Sequence, residues 1–99
     1  MKKLTTFVAA FLFTTHVYAY DAMDCVNDAV RIYPDFTNGL VTKLCKNASS
    51  SEPAKCFRDI SSVDSSITVG ISVDVCSGSI SASKTVDCYG KAWSAGLNR

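Results

Sequence analysis

The sequence predicts an all-α domain of about two and a half disulfide-stapled helical hairpins, which follows a cleaved signal peptide. Three observations predict it: an apolar N-terminal segment, five regularly spaced cysteines, and apolar residues that recur at helical intervals. The alternative is an α+β domain with a β-strand at 67–75. In either case a chain of 99 residues holds one small domain.

Residues 1–19 have the three regions of a secretory signal peptide. Two lysines form the basic start, residues 4–13 are mostly apolar, and Ala19 precedes the expected cleavage site. The apolar segment is about half the length that a membrane-spanning helix needs. We therefore expect an exported chain, residues 20–99, that lies in the periplasm or outside the cell and does not span a membrane.

Loss of the signal peptide changes the chemistry of the chain. The formal net charge of +1 falls by two units to −1, because Lys2 and Lys3 are lost. His16, the one histidine of the chain, is lost with them. The remaining chain has no basic surplus for nucleic acid, and no histidine for a catalytic triad or a zinc site. We expect a protein that is not an enzyme and that binds no nucleic acid, cofactor or metal.

The five cysteines define a repeat of about 31 residues. They are Cys25, Cys45, Cys56, Cys76 and Cys88. The steps between them are 20, 11, 20 and 12 residues, an alternation of long and short. Aligning the cysteines gives units at about 24–54, 55–86 and 87–99. The third unit holds one helix instead of two, which is why we expect about two and a half repeats.

In the first unit, apolar residues recur at the intervals of one helix face. We predict helices at about 24–33 and 35–45. Asp24 is the predicted N-cap of the first helix and Asp35 that of the second. Pro34 ends the first helix, because the residue before a proline is disfavoured in helical conformation.

The repeat extends this interpretation to the later units. We predict helices at about 55–64, 66–76 and 87–96. Serine-rich loops at 46–54 and 77–86 join the hairpins. Helices of about ten residues are not stable alone in water, so they need packing and disulfides.

The second half of unit two fits two interpretations. Across 67–75, apolar residues with β-branched side chains alternate with other residues, which is typical of a strand. The repeat favours a helix instead, because one fold should serve both units. We favour the helix and keep the strand as the alternative.

Two disulfide pairings fit the hairpins of an exported domain. Cys25–Cys45 with Cys56–Cys76 joins the helices within each hairpin and leaves Cys88 odd. Cys45–Cys56 with Cys76–Cys88 joins neighbouring hairpins and leaves Cys25 odd. Loop-closure entropy separates them by only about 0.5 kcal/mol. We prefer the pairing within hairpins as the simpler repeat. The odd cysteine allows a disulfide-linked dimer, a reactive thiol or an inert buried thiol.

Three short motifs resemble a pattern in small exported bacterial proteins with a Cys-bracketed helical-hairpin repeat. They are LCKNA at 44–48, PAKC at 53–56 and CFRDI at 56–60. The resemblance covers residues 24–96 and departs from the pattern in the β-branched half of unit two. It implies a repeat architecture and no particular activity.

The sequence favours an exported interaction or structural protein that binds an unidentified protein or envelope component. The alternatives are a secreted effector, toxin or hydrolase inhibitor, and a carrier of an apolar ligand. Four aromatic residues on predicted apolar faces are expected in the core: Phe36, Phe57, Tyr89 and Trp93. Because the last unit is incomplete, its face with Tyr89 and Trp93 is also the candidate partner surface.

Overall fold

A computed structural model of the chain describes residues 19–96. Within this range the fold is all-α, as predicted, with five α-helices and no β-strand. The helices are α1 (Ala22–Ile32), α2 (Asn38–Cys45), α3 (Glu52–Asp59), α4 (Val69–Cys76) and α5 (Ala82–Ser94), and a 3-10 turn, Ile60–Ser62, continues α3. The alternative of a strand at 67–75 is wrong. The predicted signal peptide, 1–19, lies outside the described residues except for its last position.

None of the helices in the described range combines the length and the apolar character that crossing a membrane requires.

Helix α1 begins earlier than predicted because the capping residue is Asp21, not Asp24. The Asp21 carboxylate accepts the backbone N–H of Asp24 at 3.1 Å, and the Asp24 carboxylate accepts that of Asp21 at 2.8 Å. This reciprocal capping box satisfies two backbone donors at the helix start. Pro34 acts as predicted, since α1 ends at Ile32 just before it.

Helix α2 is capped by Thr37 rather than by Asp35. The Thr37 hydroxyl accepts the backbone N–H of Leu40 at 3.3 Å. Thr68 caps α4 in the same way, accepting the N–H of Ile71 at 3.2 Å. Both second helices are therefore shorter than predicted, by three residues at their N-terminal ends.

The predicted loops 46–54 and 77–86 are too long. Helix α3 begins at Glu52, with Pro53 in its first turn, where a missing backbone N–H costs nothing. Helix α5 begins at Ala82 instead of 87. Cys88 therefore lies within α5 and not at its start.

The 31-residue repeat is visible in the backbone. Helices α2 and α4 have eight residues each and start 31 positions apart. Asn47 and Gly78, also 31 positions apart, both follow a second helix with positive φ, 59° and 78°. The hydrogen bond from Ala48 N–H to the Cys45 carbonyl recurs between Ser79 and Cys76, both at 3.0 Å. The alignment made on the cysteines therefore reproduces local geometry as well.

The helices pack in two layers. Helices α1, α3 and α5 lie side by side in the first layer, and α2 and α4 in the second. Each second-layer helix contacts the first-layer helix before it and the one after it. The layers bury a core between them, whose fully buried members include Leu44, Ile60 and Val73.

Two disulfides lie inside this core. Cys25–Cys45 joins α1 to α2, and Cys56–Cys76 joins α3 to α4, each across a separation of 20 residues. All four cysteines are buried. This is the pairing within hairpins, so the alternative between hairpins is wrong.

Tyr33 closes the core at one edge together with Phe36 and Phe57, two of the four aromatic residues predicted there. The Tyr33 ring meets Phe36 edge-on with ring centres 5.2 Å apart. Phe36 and Phe57 are 4.7 Å apart, which joins the first hairpin to α3. Both phenylalanines are partly buried against the core. Aromatic contacts therefore tie the two hairpins together at the turn between α1 and α2.

Candidate functional site

The position of α5 depends on contacts with the preceding hairpin. The Glu52 carboxylate of α3 accepts the backbone N–H of Ala82 at 2.8 Å, while Ser81 caps the helix through its hydroxyl. Gly90 lets the helix approach the turn after α3, because a Cβ there would lie 3.3 Å from the Val63 side chain. These contacts hold α5 against α3 over most of its length.

A buried carboxylate also fixes α5. Asp64 is only 3% exposed. It accepts the backbone N–H and the hydroxyl of Ser66 at 3.1 and 2.8 Å, and the Tyr89 hydroxyl at 2.7 Å. The sequence marks Asp64 only as a turn residue. Its bond to Tyr89 crosses 25 positions and has no local signal.

An open groove runs between α4 and α5 at the end of the two layers. Its volume is about 480 Å³ and its walls are mainly apolar. We call it the end groove, and it is lined by Val75, Lys84, Thr85, Cys88, Tyr89 and Ala92. Among the described residues, no helix covers it.

Cys88 brings a free thiol to this groove. Its side chain is exposed and forms no disulfide. In the repeat alignment Cys88 corresponds to Cys25 and Cys56, which are both buried and bonded to the last residue of a second-layer helix. The odd cysteine is therefore Cys88, as the preferred pairing requires, and it is not the buried thiol that was the other possibility.

The lining of the end groove corresponds to a surface that is covered in the preceding unit. The aligned residues there are Leu44, Glu52, Pro53, Cys56, Phe57 and Ile60. Leu44, Pro53, Cys56 and Ile60 are fully buried. Helix α4 lies against both α2 and α3, and these residues come from those two helices and from the 3-10 turn that continues α3. The surface of α2 and α3 on which α4 packs is called the seat of α4. The end groove corresponds to this seat, one repeat later in the chain.

The two aromatic residues predicted as a partner surface lie in different places. Tyr89 is half-buried and lines the end groove beside Cys88. Trp93, one turn later, is 38% exposed and is not part of the groove lining. Only Tyr89 therefore belongs to the groove surface.

A second cleft, of about 330 Å³, lies between α1 and α3 and carries several charges. Each of its three cations is already paired with an acidic side chain. The pairs are Arg31–Asp28 at 3.3 Å, Lys55–Glu52 at 3.4 Å and Arg58–Asp59 at 2.7 Å. The cleft is therefore explained by surface ion pairs, which contribute little each.

The hydrogen bond from Ala82 makes stability depend on pH through Glu52. The backbone N–H of Ala82, and then Lys55, lower the pKa of the Glu52 carboxyl below its ordinary value of 4.5. A lowered pKa stabilises the fold above the unfolded pKa, and this stabilisation is lost as the pH falls through the folded pKa. Glu52→Gln should therefore flatten the fall in melting temperature as the pH drops below the ordinary pKa of 4.5.

Ala82→Pro is the matched variant for this measurement. It removes the N–H that Glu52 accepts, while proline is well tolerated at the first position of a helix. Melting temperatures followed by circular dichroism should show the same flattening in both variants. Curves parallel to that of the unmodified protein would show that Glu52 has an ordinary pKa in the folded state.

Across residues 19–96, no three His, Cys, Asp or Glu side chains converge to hold a metal ion. Comparison with protein-family models, with curated proteins and with solved structures finds no match to this chain. The resemblance to exported bacterial repeat proteins therefore stays a prediction.

Proposed function

We propose that this chain is an exported, non-enzymatic interaction protein that binds another polypeptide in the end groove. Its disulfide-linked helices serve as a rigid support for that surface. Export is supported by the two disulfides, because such bonds persist in oxidising compartments outside the cytosol.

One observation carries the proposal. The end groove is exposed and mainly apolar, and four of its six lining residues have fully buried counterparts in the preceding unit, where α4 lies against α2 and α3. Apolar surface left open to water is costly and is typical of interaction sites. In the preceding unit a helix, α4, packs on the corresponding surface. The groove therefore has a shape that a helical polypeptide can fill.

The openness of the groove favours a polypeptide over a small apolar ligand. Carriers enclose most of the surface of their ligand in a cavity. The end groove instead lies open to solvent between α4 and α5. A helix can occupy an open groove, because one of its faces packs against the groove while the opposite face stays in contact with solvent.

Photo-crosslinking in the producing cell tests the proposal. Lys84 stands at the rim of the groove and is exposed, so benzoylphenylalanine can replace it without disturbing the core. We expect the chain outside the cytoplasm, with one discrete protein adduct formed from position 84. The adduct should disappear when Ala92→Arg fills the groove.

Ser83 provides the matched control, since it is exposed on the same helix turn but does not line the groove. Benzoylphenylalanine at position 83 should give no such adduct. Retention of the chain in the cytoplasm would overturn the proposal of export. Equal adducts from positions 83 and 84, or none from 84, would overturn the proposed binding surface.

A further inference from the structure

We infer that the occupant of the end groove is a short amphipathic helix of another polypeptide that carries a cysteine in its last turn, and that this cysteine forms a disulfide with Cys88. The inference rests on the proposed function and names the class of partner. It follows from continuity with an interface that the molecule already contains.

The established interface has a simple rule. Each second-layer helix lies against the first-layer helix before it and joins that helix through its final residue. Cys45, the last residue of α2, bonds Cys25, and Cys76, the last residue of α4, bonds Cys56. In the described residues α5 is the first-layer helix without such a partner, and Cys88 is at the bonding position.

The shape of the groove fits the same partner. Val75 takes the place of Leu44, and Ala92 that of Ile60. Both replacements are smaller apolar side chains, so the floor of the groove stays apolar and has room for a partner side chain. A helix of eight residues, the length of both α2 and α4, would match the interface that these helices form.

The charges of the second layer indicate which helices would fit the groove best. Neighbouring second-layer helices are joined by an ion pair between Lys43 of α2 and Asp74 of α4. Both residues stand two positions before the terminal cysteine of their helix. The Asp74 side chain is still half-exposed, so the next helix in the layer should place a basic residue there. The expected partner sequence is a basic residue, an apolar residue and then cysteine.

The bond between the two chains forms by thiol–disulfide chemistry. The two thiols lose two protons and two electrons, and a sulfur–sulfur bond forms between them. The oxidant is the disulfide of a dithiol oxidoreductase, which is reduced to two thiols. Docking of the helix raises the local concentration of its thiol at Cys88, which accounts for selectivity.

The test uses the purified oxidised protein and a peptide of residues 35–47, which contains the α2 sequence and ends its helix with Lys43, Leu44 and Cys45. The peptide cysteine is activated as a thiopyridyl disulfide. The Cys88 thiolate attacks the peptide sulfur and thiopyridone leaves, so no further oxidant is needed. The release of thiopyridone gives the rate, and mass spectrometry locates the bond.

We expect the peptide to react with Cys88 at a rate that saturates with concentration and exceeds that of a scrambled peptide by about tenfold. Lys43→Asp in the peptide should slow the reaction, because it faces Asp74. Ala92→Arg in the protein should reduce the rate to that of the scrambled peptide, whereas Ser83→Arg should leave it unchanged.

Several results would overturn the inference. Equal rates for the native and scrambled peptides would show that Cys88 is merely exposed. Bonding of the peptide to Cys56 would show exchange of α4 instead of docking. A Cys88–Cys88 dimer that excludes the peptide would assign the groove to a second copy. If these occur while position 84 still gives its adduct in cells, the inference fails and the proposed function stands.

Discussion

Replacing Cys56 and Cys76 together by alanine is expected to lower the free energy of unfolding by about 3 kcal/mol. The disulfide closes a loop across a separation of 20 residues, and this restricts the unfolded chain. Both sulfurs are buried between α3 and α4. Their removal therefore brings no compensating gain from contact with solvent. For a small domain, whose total stability is about 5 kcal/mol, this is a large fraction.

Urea unfolding followed by circular dichroism measures the change, and the double substitution avoids new thiols that could exchange with Cys88. Cys88→Ser is the control, because this exposed thiol bonds nothing and its loss should leave stability unchanged. The Cys25 and Cys45 pair closes a loop of the same length and should give a similar loss. A loss below about 1 kcal/mol for either pair would contradict the structure's account of what holds each hairpin together.

The sequence is sufficient to predict the helical hairpins, but it does not predict how one hairpin docks on the next. The cysteine spacing and the repeat were sufficient to choose a helix over a strand at 67–75, against the local preference of its β-branched residues. The start of α5 could not be found this way. Its local N-cap, Ser81, is one of four serines between positions 77 and 83, so the sequence does not single it out. The bond from the Ala82 N–H to Glu52 joins residues 30 positions apart, and no local pattern predicts it.

The candidate site was predicted in part for a similar reason. The odd count of cysteines pointed to Cys88, and the apolar face of the last unit pointed to Tyr89. Trp93 is predicted for the same surface because it lies with Tyr89 on the apolar face of an incomplete unit. The aligned position in the first unit, Val30, is 39% exposed, close to the 38% of Trp93. The repeat alignment therefore indicates that Trp93 is exposed, whereas its hydrophobicity alone does not.

The groove itself required the arrangement of layers. Nothing in the order of residues states that α2 and α4 lie side by side, or that Val75 should meet Cys88 across a gap. The Lys43–Asp74 ion pair and the bond from the Ser77 hydroxyl to the Lys43 carbonyl, at 2.7 Å, are contacts between the two helices in that arrangement. Both join residues more than 30 positions apart, so they become visible only in the folded chain.

Leu44→Ala is expected to lower the free energy of unfolding by about 3 kcal/mol. Leu44 is fully buried where α2 meets the next hairpin, and its removal leaves a cavity that the stapled helices cannot close. Val75→Ala, at the aligned position of α4, should cost only about 1 kcal/mol, because Val75 is half-buried and lines the open groove. Urea unfolding of the two variants makes the comparison.

The same pair of variants links stability to binding. If the end groove is the next copy of the seat of α4, attaching the 35–47 peptide at Cys88 should bury Val75 as Leu44 is buried. The cost of Val75→Ala should then rise towards that of Leu44→Ala, while the cost of Leu44→Ala stays the same. If Val75→Ala lowers the free energy of unfolding of the peptide-bound protein by no more than that of the free protein, the peptide is attached only through its disulfide and does not fill the groove. The end groove would then not be equivalent to the surface on which α4 packs.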